Sequence, residues 1–316
     1  MFIFIIKINK TRIKTKYSTN SKNLNPYYVT GFCDAEWCFQ LVISKNPKYT
    51  LGWSVKLVFS IHLHYKDVDI LYQIQRFFGV GSVTINRDTA NYQVVSLNDL
   101  LCIINHFNNF PLKTKKSIDF LLFKKAYNII SNKEHLTYLQ KLVNIRASLN
   151  KGLSEKLAIA FPNTIPEAEP VFDQKQDNNI SNTKHWLAGF VTGEGCFFVK
   201  ISKSKTHKLG ISVNLNFIVV QNIRDAGLIN SLILILGCGS ITISEKSYIV
   251  RYTVTSLSDI VEHIILFFDK YPILGEKSKD YEDFKKVSTL MFNKEHLTPE
   301  GLEKIKSIKS KMSFKR

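Results

Sequence analysis

Two glutamates, Glu36 and Glu194, close two copies of one phrase: VTGFCDAEWCF at 29–39 and LAGFVTGEGCF at 187–197. Each copy is otherwise apolar and punctuated by glycine, and a core segment has no use for a carboxylate in that place. At a helix C-terminus a glutamate is mildly unfavourable against the dipole, so its recurrence calls for a chemical reason. Small residues (Gly31 and Ala35; Ala188, Gly189 and Gly193) let two helix backbones approach closely, and two copies of one helix can pack about a pseudo-twofold axis. The two carboxylates then lie side by side, which is costly unless a cation sits between them. Oxygen ligands of this kind suit Mg²⁺. Paired metal-bound carboxylates beside a basic surface point to phosphodiester hydrolysis, in which a metal activates water and stabilises the leaving oxygen.

The elements that must position these glutamates are duplicated as well. SIHLHYKD and VVQNIRD, and FFGVGSVTI and LGCGSITI, match at an offset of 158; VVSLNDL (94–100) and VTSLSDI (254–260) match at 160; NKEHLT recurs at 132–137 and 293–298, an offset of 161. In each half a short helix ends near the glutamate and an alternating hairpin follows. An amphipathic helix, a second hairpin and further helices complete it. The order αββαββα without βαβ alternation predicts an α+β fold of two pseudo-symmetric repeats, each a four-stranded antiparallel sheet, packed through the two motif helices. Boundaries are expected at 25–160 and 185–316, joined by a linker at 161–184 with three prolines. Residues 1–24, basic and free of acids, read as a leader or fusion segment.

Forty-three Lys and Arg against 26 Asp and Glu leave a net charge of +17, the footprint of a polyanion binder. The five cysteines show no zinc spacing. No apolar run is long enough to span a bilayer, and no basic amphipathic helix outside the leader argues for a membrane surface. A monomer with internal pseudo-twofold symmetry is expected.

On VTGFCDAEW, LAGFVTGEG and the repeats that follow them, the chain resembles the LAGLIDADG homing endonucleases, the single-chain two-repeat class of fungal mitochondrial group I introns, from about residue 25 to 313. The resemblance implies that the motif helices form the interface between halves. It implies that Glu36 and Glu194 bind metal with help from the backbone carbonyls of Ala35 and Gly193. Two sheets would form a saddle on double-stranded DNA, and both strands would be cut across the minor groove to leave 3′ overhangs, with Mg²⁺ as cofactor and Ca²⁺ supporting binding without cleavage. A mitochondrial location follows from the same likeness. Departures are Trp37, where the family has glycine and the second half keeps Gly195, and Leu63 opposite Gln221, of which only Gln221 can orient water. Trp37 is expected to tilt Glu36 or narrow the helix interface. Lys116 and Lys277 are candidates for stabilising transition-state charge.

By strand alternation, one face of the first half carries Gln40, Val42, Ser44, Lys56, Ser60, His62, Ser82, Thr84 and Asn86. The second carries Phe198, Lys200, Ser202, Asn214, Asn216, Ile218, Ser240, Thr242, Ser244, Arg251 and Thr253. Amide side chains suit adenine edges, basic ones guanine, and branched apolar ones thymine methyls, so an A·T-leaning target is expected. Lys48 and Lys205, near hairpin tips, suit phosphates. Trp53, Phe77, Phe78, Phe107, Phe123 and Phe284 read as core, and His135 and His296 as parts of a helix-to-helix turn. An RNA-binding maturase acting on group I intron RNA remains the alternative; two intact glutamates favour the nuclease.

Overall fold

A computed structural model of the chain describes residues 24–171 and 180–312. The leader up to residue 23 and the middle of the expected linker lie outside the described residues. The first half runs α1 (Pro26–Glu36), β1 (Trp37–Lys45), β2 (Trp53–His64), α2 (Val68–Phe78), β3 (Ser82–Asn86), β4 (Thr89–Val94), α3 (Leu97–Asn109), α4 (Lys116–Ser131), α5 (Leu139–Ser148) and a short α6 (Glu155–Ala160). The second half runs α7 (Ile180–Glu194), β5 (Gly195–Lys203), β6 (Ile211–Asn222), α8 (Ala226–Leu236), β7 (Ser240–Ser244) and β8 (Ile249–Val254). There follow α9 (Leu257–Asp259), which passes through a π turn (Ile260–Ile265) into α10 (Leu266–Lys270), then α11 (Glu276–Phe292) and α12 (Pro299–Lys309). Helix α7 begins within the stretch expected to be linker, so the boundary at 184 falls inside a helix. Its polar first turn carries no apolar periodicity that would have revealed it.

Both sheets are antiparallel, in the orders β1-β2-β4-β3 and β5-β6-β8-β7. Alternation sends Phe39, Leu41, Ile43, Leu57, Phe59 and Ile61 into the first core, beneath the helices. Phe107, Phe123 and Phe284 are buried, and Trp53, Phe77 and Phe78 pack half-buried against the core, as expected from the sequence. Trp37 does not enter the helix interface. Its indole turns into the first core and meets the rings of Phe59 and Phe107 at 3.8 and 4.7 Å between centroids. In the second half a β-carbon on Gly195 would collide with Val191; the residue matching Val191 is the smaller Cys33, which leaves room for an indole.

The drifting offset of the repeat has two structural causes. Two residues, Arg87 and Asp88, join β3 to β4, whereas residues 245–248 join β7 to β8. The π turn between α9 and α10 then absorbs one more residue than the regular α3 does, since an i→i+5 turn is a one-residue insertion in a helix. The NKEHLT segments form matching turns, with Lys133 and Lys294 at φ 59° and 61° ahead of short 3₁₀ turns. His135 and His296 sit in those turns.

Helix α1 starts on Asn25, whose side chain accepts from the Tyr27 amide, with Pro26 in its first turn. It packs along α7 with the backbones touching: a β-carbon on Gly31 would overlap the Trp186 carbonyl, and one on Gly189 the Tyr28 carbonyl. Both helices therefore end at the same level, and each hands its chain directly to the first strand of its sheet.

Candidate active site between the motif helices

Glu36 and Glu194 are the last residues of α1 and α7, and the close helix packing brings them together. A β-carbon on Gly193 would press on Ala35 and stand 3.3 Å from Glu36 Oε1, so the small residues before each glutamate are what let the carboxylates converge. Burial raises the pKa of both. For Glu194 the negative charge of Glu36 raises it further, and the Lys116 and Lys277 ammonium groups oppose the rise. For Glu36 the chief opposing charge is Lys277, followed by Lys116. Each carboxylate is thus relieved most by the lysine of the other half.

The lysines come from equivalent places, the first turns of α4 and α11. Lys116 Nζ donates to the Ala35 carbonyl oxygen at 2.7 Å, and Lys277 Nζ donates to the Gly193 carbonyl oxygen. Burial lowers the Lys277 pKa against the pull of both glutamates. Gln221 Nε2 donates to Glu194 Oε1 at 3.1 Å. Its counterpart Leu63 packs against the apolar core, so Glu36 has no such neighbour. Two mutually repelling, partly desolvated carboxylates beside two backbone carbonyls form a set of hard oxygen donors, and that set fits a divalent cation such as Mg²⁺ or Ca²⁺. Among the described residues no cluster of three or more His, Cys, Asp or Glu offers a competing metal site.

A polar network invisible in the sequence holds this centre. Asp34 is fully buried and accepts from the Lys113 and Thr114 amides (2.9 and 3.1 Å), the Thr114 hydroxyl (2.6 Å) and Trp186 Nε1 (2.7 Å). It therefore ties α1, α7 and the loop before α4 together. Its counterpart Thr192 receives the Tyr28 hydroxyl at 2.6 Å and the Leu274 amide at 3.5 Å. The signal was present in the repeat, since Tyr28 matches Trp186 and Asp34 matches Thr192, but nothing in one dimension says that they cross.

The strand registers bring the candidate DNA-reading residues onto one face of each sheet. In the first half Gln40 and Val42 pair with Val58 and Lys56, Ser44 pairs with Ser54, and Ser60 and His62 pair onward with Gln93 and Asn91. Those in turn face Ser82 and Thr84, and Asn86 pairs with Thr89. In the second half Phe198, Lys200 and Ser202 pair with Asn216, Asn214 and Ser212. Ile218 meets Thr253 and then Ser240, while Arg251 meets Thr242 and Ser244 meets Ile249. Lys48 and Lys205 are exposed in the hairpin turns.

Ser60 is the exception. It lies on the right face but is 1% exposed, so neighbouring side chains screen it and the expected contact needs them to move. Asn91 and Gln93 lie on this face too, and the 160-residue offset makes them the counterparts of the candidates Arg251 and Thr253. Beside the free edge of β1 lies a cleft of about 880 Å³ in which Lys115, Lys116, Arg146, Lys151 and Arg224, with Asp119 and Glu169 among them, stand next to Gln40 and Val42 of the strand face. No helix among the described residues is long and apolar enough to cross a membrane.

Comparison with known proteins gives one consistent answer. The family model described as LAGLIDADG endonuclease matches residues 29–127 and again 187–288. The "Probable intron-encoded endonuclease 3" of Neurospora crassa is 38% identical over 299 residues, 92% of this chain and 55% of its own length. "Probable intron-encoded endonuclease 2" of the same organism is 37% identical over 315 residues, 95% of this chain and 68% of its own. The chain thus spans about half to two-thirds of these relatives. The I-SmaMI LAGLIDADG homing endonuclease bound to cleaved DNA superposes with a TM-score of 0.88 at 42% identity, covering 93% of this chain and 98% of that one. I-SmaMI bound to an uncleaved DNA target in the presence of calcium ions gives 0.87, again at 42%, over 92% of this chain and 99% of that one. With one match in each half and the same two-sheet architecture, this chain belongs to the LAGLIDADG endonuclease family.

Proposed function

We propose that the protein is a site-specific, divalent-metal-dependent DNA endonuclease encoded by an intron, cutting both strands of a double-stranded target. The observation that carries this reading is the meeting of Glu36, Glu194 and the two lysine-capped carbonyls at the foot of α1 and α7. Glu36 and Glu194 hold the metal, with the Ala35 and Gly193 carbonyls in reach. When bound, a hard divalent cation supplies charge neutralisation at the scissile phosphate and acidifies water. Lys116 and Lys277 place positive charge where the phosphate becomes more negative, and Gln221 orients a water on the Glu194 side. The strand faces read base edges, and the lysine-rich turns meet phosphates, so binding weakens steeply with salt. In the same reading the products carry 3′ overhangs, Mg²⁺ supports cutting, and Ca²⁺ supports binding alone, for which the calcium-containing I-SmaMI complex is the precedent. Relatives named for an ND4 intron in Podospora anserina and a cox1 intron in Schizosaccharomyces pombe support a mitochondrial setting.

The test is cleavage of a plasmid library carrying randomised target sites in Mg²⁺ and in Ca²⁺, with Glu194→Gln alongside. Double-strand cutting in Mg²⁺ alone, abolished by the substitution, is the expected result. Salt-sensitive binding without cutting in any metal would move the reading to an RNA-binding maturase. An exposed aromatic ring on the reading face, Phe198 (38%), favours that second possibility.

A further inference from the structure

Two aspartates cross the seam between the halves and have no part in the chemistry described so far. Asp67 ends the 3₁₀ turn after β2, and its Oδ1 accepts from the Glu276 amide of the second half at 2.7 Å. Asp225 ends the matching turn after β6, and its Oδ1 accepts from the Lys115 amide of the first half at 2.8 Å. Glu276 and Lys115 stand immediately before Lys277 and Lys116. Each aspartate therefore grips the start of the helix that carries the opposite half's active-site lysine. A negative charge is favoured there by the unpaired amides and the helix dipole.

The surroundings are shaped for this contact. Asp225 is buried. Gly275, just ahead of α11, has φ +71°, and a β-carbon there would overlap Asp67 Oδ1 and Ile70 Cδ1. Where Asp34 and Thr192 hold these loops from within the motif helices, Asp67 and Asp225 hold them from the other sheet.

We propose that Asp67 and Asp225 are positioning residues, each setting the active-site lysine of the opposite half, so that neither half can assemble its chemistry without the other. The inference rests on the proposed nuclease activity and adds to it a physical link between the two strand cuts. Removing Asp225 frees the first turn of α4 and lets Lys116 drift from the Ala35 carbonyl. Removing Asp67 does the same for Lys277 and Gly193. Asparagine keeps an oxygen that can accept from the amide, whereas alanine keeps none.

The test uses the full chain and a duplex selected by wild-type cutting from a randomised library, with a different dye on each strand. Asp225→Ala is expected to slow, by about tenfold, the same strand that Lys116→Ala slows, as the loss of one hydrogen bond to a charged acceptor implies. Asp67→Ala is expected to slow the strand that Lys277→Ala slows, and Gly275→Ala to mimic it. Asp→Asn variants recover most of the rate, and the Kd for the duplex in Ca²⁺ stays unchanged. Amide exchange gives a readout free of catalysis: Lys115 loses protection in Asp225→Ala and Glu276 in Asp67→Ala. Equal slowing of both strands, or an unchanged strand ratio in the alanine variants, overturns the inference while leaving the nuclease standing. If the wild type cuts nothing in the library, the nuclease reading falls and the inference falls with it.

Discussion

The first half of the molecule clamps the loop before its lysine with a carboxylate and leaves its glutamate beside a leucine; the second clamps with a hydroxyl and gives its glutamate an amide. Asp34 collects four hydrogen bonds where Thr192 receives one short and one long. Leu63 packs into the core where Gln221 bonds Glu194. Yet carboxylate, preceding carbonyl and lysine meet in the same way in both halves. The frame of the duplication is therefore indifferent to how a loop is held but strict where charge converges, which is what the proposed cutting of two strands at one shared centre requires.

The largest expected effect tests the strict part. Glu36→Gln and Glu194→Gln each keep the shape and remove the charge, so each should reduce double-strand cutting by about a thousandfold or more. Strand-resolved cleavage in Mg²⁺ checks it. If either variant retained near wild-type cutting of both strands, the proposed equivalence of the halves as metal ligands would be lost.

The next effect is on stability. In Asp34→Asn the amide nitrogen must face donors whichever way it turns, because both carboxylate oxygens accept. Buried donors left unmet predict a loss of about 3 kcal/mol. Thr192→Val should cost about 1 kcal/mol, through the orphaned Tyr28 hydroxyl. Urea unfolding of both variants measures the pair, and equal costs would mean that the two clamps are interchangeable.

Acid should separate the halves in the same order. His106 is buried among Phe77, Phe78, Phe107 and Phe110 and shares a hydrogen bond with Thr30. Burial pushes its pKa down to about 3. The unfolded chain takes up that proton near pH 6.5, the folded one only near 3, so the stability is present above pH 6.5 and is lost as pH falls toward 3. At pH 5 the loss is about 2 kcal/mol. Hydrogen exchange across this range should show the first half opening before the second. His106→Leu should remove the difference, and a pH-independent first half would contradict the buried neutral ring.

How much of this was legible beforehand follows from what kind of signal each part leaves. The paired glutamates, both hairpins and the shared strand face of each sheet show up because duplication and strand alternation are periodic, and periodicity survives in one dimension. Asp34, Asp67 and Asp225 did not, because their partners lie 79 to 209 positions away, and Asp67 and Asp225, each just before a helix, read as ordinary caps. Trp37 was read as an intruder at the helix interface because only the fold shows that its strand turns the indole into an aromatic core. Ser60 kept its predicted face, yet side-chain crowding in a four-stranded sheet buried it.

The smallest effect concerns the amide that distinguishes the two glutamates. Gln221 bonds Glu194 and works to lower its pKa against the larger effect of burial, while Leu63 offers Glu36 no hydrogen bond. If Gln221 also orients the attacking water, the wild type should cut one strand faster and pass through a nicked duplex. Gln221→Leu makes the second half resemble the first: the faster strand should slow by about tenfold, roughly one hydrogen bond's worth, and the nick should become symmetric. Leu63→Gln is the reverse experiment and should speed the slower strand if the new amide reaches Glu36. Two-colour single-turnover cleavage reads both variants against the wild type. A wild type that cuts its strands at equal rates, unaffected by either substitution, would reduce Gln221 to a structural neighbour of Glu194 and place the chemistry wholly on the carboxylates, carbonyls and lysines that the halves share.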